Sequence, residues 1–217
     1  MTTANLTLFR PRLYRAGKLF AFAMALLTTA DLSGFLCNRY IRINRSPSLP
    51  LGLYRPVALP LGRGRLVSAC LPLPVTRLGR ARSYLPPGPC PGDSAPLLKY
   101  IAGLPGDVIE VTSSGVTANG VPLLLSGAIQ VDSHGRSLSP VPPGRYRLRD
   151  CYWLAAPHTQ SWDSRYFGCV PRESLREVLV PWVTTSPPLP VGDFRARKSG
   201  RAAARSRETA TKVGDFG

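Results

Sequence analysis

Hydrophobic positions change their pattern three times along the chain. Residues 1–18 are polar and carry Arg10, Arg12, Arg15 and Lys18, after which an apolar run extends from Leu19 to Ala30 and, past Asp31, on to Cys37. Counted to Cys37, the run is just long enough for a helix to cross a bilayer core of about 30 Å. The same stretch also reads as a cleaved secretory signal, with a basic n-region, an apolar h-region and the small residues Thr28 and Ala30 ahead of Asp31. Both readings export the rest of the chain, and a retained anchor is preferred. The positive-inside rule places the N terminus in the cytoplasm, although Arg39, Arg42 and Arg45 come soon after the segment.

Beyond residue 37 the apolar runs shorten and turn signals multiply. Strands are expected at residues 66–71, 97–102, 108–112, 152–155 and 178–182. Asn119-Gly120 between Val116 and Val121 marks a hairpin, and Tyr146 and Leu148 alternate with three arginines as on a half-buried strand. The Pro-rich stretch 86–92 reads as a loop. After residue 184 come Pro187-Pro188-Leu189-Pro190 and a segment with Arg195, Arg197, Lys198, Arg201, Arg205, Arg207 and Lys212 but few bulky apolar residues, expected to be a disordered tail. The expected organisation is a basic arm (1–18), an anchor or signal helix (19–37), one mainly β domain (38–184) and a basic tail (185–217).

Composition agrees: 217 residues with 20 Gly and 23 Pro suit short strands and frequent turns better than a helical bundle. A net charge of +16 would ordinarily suggest nucleic acid or an anionic membrane surface. Here the charge is spread over the arm, the loops and the tail, and no nucleic-acid motif accompanies it, so membrane proximity is expected and nucleic acid is not. The five cysteines, Cys37, Cys70, Cys90, Cys151 and Cys169, show no CxxC or metal-ligand spacing. They read as buried small apolar residues with one disulfide if the domain meets an oxidising compartment, the pairing left open. His134 and His158, the two histidines, sit in turn-like surroundings. They argue against zinc and against a Ser-His-Asp triad, for which His158 near Asp163 is the one candidate. No metal or other cofactor is expected.

Three stretches carry chemistry. In Arg45-Ser46-Pro47-Ser48-Leu49-Pro50-Leu51-Gly52-Leu53-Tyr54, two prolines bracket Ser48 and favour a stiff, extended, non-helical backbone with an exposed amide. Such an amide suits a nucleophile whose own N–H faces an oxyanion. In Leu97-Leu98-Lys99-Tyr100-Ile101-Ala102-Gly103-Leu104-Pro105-Gly106-Asp107, a lone lysine shares one strand face with Leu97 and Ile101, where desolvation lowers its pKa toward that of a base. The third is Ser161-Trp162-Asp163-Ser164-Arg165-Tyr166-Phe167-Gly168.

Together and in this order, the three stretches resemble the Ser/Lys type I signal peptidase family, most closely its TraF-like branch of conjugative transfer. The resemblance implies a signal-peptidase-like β-rich catalytic domain in which Ser48 is the nucleophile and Lys99 the general base, with the Ser48 N–H and the Ser46 hydroxyl as oxyanion donors. It further implies that Ser161 hydrogen-bonds the Lys99 amine and that Asp163 and Arg165 brace the site. The implied substrate is an exported, pilin-like precursor with small side chains before the scissile bond, bound extended at the bacterial inner membrane on its periplasmic side, among components of the conjugation machinery. Leu49 in place of methionine, the adjoining Pro50, and Tyr100 in place of arginine depart from the general leader-peptidase pattern and favour a dedicated precursor. The competing readings are a pilin cyclase using the same acyl-enzyme, a self-cleaving repressor-type protein, and a non-catalytic membrane-anchored assembly factor.

Overall fold

The computed structural model describes residues 40–124, 126–187 and 213–216. The apolar N-terminal segment expected at 19–37 lies outside them, and no described helix is long and apolar enough to cross a membrane. Residues up to Arg42 fall in one unit and Ile43–Gly217 in a second, which carries the sheets and the chemistry.

The fold is mainly β. Seven strands run in the order β1-β2-β12-β3-β5-β10-β11, with β1 at Arg42–Asn44, β2 at Gly52–Val57, β3 at Leu66–Ala69, β5 at Leu97–Gly103, β10 at Cys151–Ala155, β11 at Val170–Pro171 and β12 at Leu175–Thr184. The second sheet has five, β13-β9-β6-β7-β8, built from β6 (Val108–Thr112), β7 (Gly115–Ala118), β8 (Val121–Pro122), β9 (Gly144–Leu148) and β13 (Val213–Phe216). Asn119 and Gly120 both take positive φ between β7 and β8, the backbone that a two-residue hairpin requires.

Strand β5 is covered on both faces, which explains why its sequence is nearly continuous in apolar residues rather than alternating. Leu98, Tyr100 and Ala102 join a cluster with Ile109, Val111, Val116 and Leu148 of the second sheet. Leu97 and Ile101 join the opposite cluster with Val67, Leu154 and Val178, against which Val75, Trp162 and Phe167 pack. Lys99 is therefore on the face covered by helical and loop segments.

Several elements differ from expectation. Helix α1, Leu73–Ala81, has Pro74 at a tolerated first-turn position and buries only the small residues Thr76 and Gly79, so its sequence lacks an apolar stripe. Part of the expected 86–92 loop is a short strand, β4 (Pro87–Cys90), and the 161–168 turn contains a one-turn helix, α2 (Ser164–Phe167). Two disulfides form where one was expected: Cys70–Cys90 spans α1, and Cys151–Cys169 closes the loop that carries the third motif. Each closes a loop of a size worth about 3 kcal/mol in chain entropy. Within the tail, Val213–Phe216 is a strand paired in parallel with β9.

Gly52 explains one fixed point of the first motif. It has a φ of +143°, and a Cβ there would stand 2.1 Å from the Val183 carbonyl oxygen at the bulge in β12. Gly52→Ala is expected to destabilise the domain by about 2 kcal/mol or more, lowering Tm by roughly 4–8 °C, measured by calorimetry.

Candidate active site

The Ser46–Ser48 segment connects β1 to β2 as a turn, with the Leu49 amide near the Ser46 carbonyl at 3.4 Å. The local proline preferences predicted extended backbone; side-chain hydrogen bonds from the flanking residues Asn44 and Tyr54 impose a turn instead. Asn44, buried at the end of β1, is the organiser. Its Nδ2 donates to the carbonyls of Ser46 (2.9 Å), Leu49 (3.1 Å) and Pro50 (3.0 Å), and its Oδ1 accepts from the Ser46 amide at 3.1 Å. Tyr54 closes the turn by donating to the Pro50 carbonyl at 2.6 Å, and burial raises its hydroxyl pKa to about 12. The sequence reading missed Asn44; the available signal was an amide side chain two residues before the first serine.

Strand β5 carries Lys99 to this turn. Its register places Lys99 opposite Val67 of β3, and its Nζ donates to Ser48 Oγ at 2.7 Å. Lys99 is 3% exposed and Ser48 7%. Burial is the dominant influence on the amine and pushes its pKa down to about 8, with Asp163 raising it and Arg165 lowering it. Ser46 Oγ lies 3.1 Å from Ser48 Oγ and accepts from the Ser48 amide at 3.4 Å, so both expected oxyanion donors sit beside the Ser48 hydroxyl. A cleft of about 220 Å3 opens on Ser46, Ser48, Lys99 and Ser161, with Tyr84, Trp162 and Ile129 among its walls.

The third motif builds the far side. Asp163 caps α2 by accepting from the Arg165 amide at 3.2 Å, and its carboxylate also accepts from the Ala156 amide at 3.1 Å. Arg165 grips Asp163 through two 2.8 Å bonds, Nε to Oδ1 and Nη2 to Oδ2. The guanidinium also donates to the carbonyls of Gly127, His158 and Ser161. Burial works against the arginine's charge, but Asp163 more than offsets it and holds its pKa above the ordinary value. The Ser161 hydroxyl, buried in the cleft wall, has no hydrogen-bond partner among the described residues. The bond expected from Ser161 to the Lys99 amine is not made in this state, in which the described bond of Nζ is directed at Ser48.

The triad alternative does not assemble. His158 Nδ1 accepts from the Gln160 amide at 3.2 Å, while the Asp163 carboxylate is taken up by Arg165 and backbone amides. Asp107, the end of the second motif, serves the fold. Burial alone would raise its pKa, but the Leu104 amide, Arg63 and Asn119 hold it below the ordinary carboxylate range. Among the described residues no cluster of His, Cys, Asp and Glu could hold a metal.

Two stability measurements check this geometry. Asp163→Ala strands a buried guanidinium and is expected to destabilise the domain by about 3–5 kcal/mol. Lys99→Met removes a buried amine whose protonation at neutral pH opposes folding by about 3 kcal/mol, the drop from 10.5 to about 8. The unfolded chain binds more protons than the folded one between those values, so wild-type stability gains from this group as pH rises from about 8 to 10.5. Lys99→Met is expected to hold or raise Tm at pH 7 and to abolish that gain in pH-dependent melting curves.

The model of the signal peptidase, peptidase S26, family matches residues 14–182. The chain is 35% identical over 182 residues to a conjugal transfer protein TraF of Agrobacterium tumefaciens, covering 80% of this chain and 99% of that protein. It is 31% identical over 172 residues to a plasmid transfer protein TraF of Escherichia coli, covering 78% and 94%. A signal peptidase I structure from Enterococcus faecalis aligns with a TM-score of 0.34 at 20% identity, over 57% of this chain and all of that one. With the family's model spanning most of its length, this chain belongs to the S26 signal peptidase family.

Proposed function

We propose that the protein is a serine endopeptidase with a Ser48/Lys99 dyad that processes an exported, pilin-like precursor for a conjugative transfer system. The observation that carries this reading is the 2.7 Å contact between a buried lysine amine and a buried serine hydroxyl, with the lysine pKa lowered to about 8. Membership of a peptidase family and likeness to TraF transfer proteins support the reaction class and its setting.

In the proposed reaction neutral Lys99 takes the proton of Ser48 as Oγ attacks the scissile carbonyl. The oxyanion is held by the Ser48 amide and the Ser46 hydroxyl, donors worth on the order of 3 kcal/mol each. Collapse breaks the C–N bond, and the Lys99 ammonium passes its proton to the departing amine. Lys99, neutral again, then activates water to release the acyl group. Ser161, whose hydroxyl is otherwise unpartnered in the same cleft, accepts from the ammonium while it carries the extra proton. Arg165, itself held by Asp163, fixes Ser161 in place by donating to its carbonyl.

We further place the domain on the periplasmic side of the bacterial inner membrane, tethered by the apolar segment 19–37. That location is supported by the run itself and by the two disulfides, which suit an oxidising compartment.

The deciding measurement is the intact mass of a candidate pilin precursor co-expressed with the wild-type protein, Ser48→Ala or Lys99→Ala. A terminal peptide is expected to be lost with wild type and retained with both variants, a drop of about 10³-fold or more in rate. Loss of one further water from the product would assign the cyclase reading, and processing by Lys99→Ala would sink the dyad. Because only neutral Lys99 accepts a proton, kcat/KM is expected to rise about tenfold per pH unit below a midpoint near 8 and to level off above it. Asn44→Ala, by freeing the turn, is expected to lower kcat about 10–100-fold with KM little changed, as misplacement by about 1 Å does.

A further inference from the structure

The five-stranded sheet ends on a strand from a distant part of the chain. Residues 188–212 separate β13 from Pro187, whereas β6 to β9 come from one continuous region, Val108 to Leu148. β13 lies parallel to β9, Val213 opposite Arg145 and Phe216 opposite Leu148, and the Phe216 carbonyl accepts from the Arg149 amide at 3.3 Å. Without β13, β9 would be an edge strand, whose unpaired amides and carbonyls form a template for another strand. A four-residue strand cannot order itself, so its place depends on tethering and on what its last side chain finds.

That side chain finds a built seat. The Phe216 ring packs on Tyr146 with centroids 4.5 Å apart and an interplanar angle of 30°, and lies 6.4 Å from Trp153. It also reaches to within 3.4 Å of where a side chain on Gly168 would begin. A single half-buried aromatic anchor plus strand pairing is the usual chemistry of β-augmentation, in which the backbone supplies affinity and one pocket supplies selectivity.

We propose that the β9 edge and its aromatic seat form a peptide-docking site, filled in cis by Val213–Phe216, that accepts by exchange an extended, aromatic-ended segment of a partner protein. Tethering makes the cis contact intramolecular, so a weak four-residue strand can cap the edge until a competitor displaces it. No residue lining the catalytic cleft belongs to β9 or β13, so docking and cleavage use separate surfaces.

The test uses the full-length protein and a fluorophore-labelled heptapeptide of residues 211–217, Thr-Lys-Val-Gly-Asp-Phe-Gly. In Phe216→Ala, the Arg149 amide is expected to exchange hydrogen at least about tenfold faster than in wild type. The peptide is expected to bind this variant saturably, restore the protection, and bind wild type at least about tenfold more weakly because the tail competes. Gly214→Pro removes an amide from the strand and leaves the aromatic seat intact, so it is expected to speed exchange and to bind the peptide as Phe216→Ala does, an agreement that loosening of the core by the lost ring would not produce. Unchanged exchange in both variants, failure of the peptide to bind either, or equal binding to wild type and variants would overturn the proposal. None of these readings depends on peptidase activity.

Discussion

A primary amine held at 3% exposure beside a serine hydroxyl is the constraint around which the domain is built. An ammonium ion loses far more solvation on burial than one neutral hydrogen bond returns, so burial shifts the amine toward its uncharged form and lowers its pKa to about 8. To keep water out, β5 has to be covered on the Lys99 face as well as on the face toward the second sheet. The first cover is assembled from α1 and the 161–168 segment, neither of which is a strand. The desolvation of this one group is thus a consequence of the two-sided apolar burial of β5.

The same constraint explains the pairing of Asp163 with Arg165. A lone carboxylate near Lys99 would stabilise the ammonium and raise its pKa; a lone guanidinium would leave an uncompensated buried charge. Joined through two bonds, the pair exerts opposing influences on Lys99, and burial prevails. The pair is also structural, since Arg165 gathers three carbonyls, two from the 158–161 turn and one from Gly127. The Cys151–Cys169 disulfide closes the loop that holds both residues. A buried ion pair contributes little net stability compared with apolar packing, so its value here lies in fixing one arrangement of that loop.

On the nucleophile side, position comes from a network of ordinary hydrogen bonds. Asn44 and Tyr54 hold the carbonyls of the turn so that the Ser48 hydroxyl and amide and the Ser46 hydroxyl gather at one place. Gly52 then lets the chain leave the turn directly against the β12 backbone. This combination of a rigid turn, a lysine with a lowered pKa and a braced opposite wall is consistent with membership of a peptidase family, with TraF transfer proteins among its relatives.

The sequence alone settled what depends on local pattern. Short apolar runs and the turn residues that bound them located the strands at 97–102 and 108–112 and the Asn119-Gly120 hairpin, because turn chemistry and positive φ are decided within a few residues. Ser46, Ser48 and Lys99 stood out as a proline-bracketed serine pair and an isolated lysine in an apolar run, whereas Ser161, Asp163 and Arg165 were implied by the family resemblance of the three stretches. Helix α1 was hidden because it buries Thr76 and Gly79 rather than a stripe of large residues, and β13 because its partner is far away in sequence. Only the tertiary structure decided that Ser48 lies in a turn, that Asn44 organises it, which cysteines pair, and that the Ser161 hydroxyl stands free of Lys99. The cysteine pairing and the Ser161–Lys99 separation are set by groups brought together from separate strands and loops, whereas the turn is set within residues 44–54, where the hydrogen bonds of Asn44 and Tyr54 outweigh the preferences of the prolines.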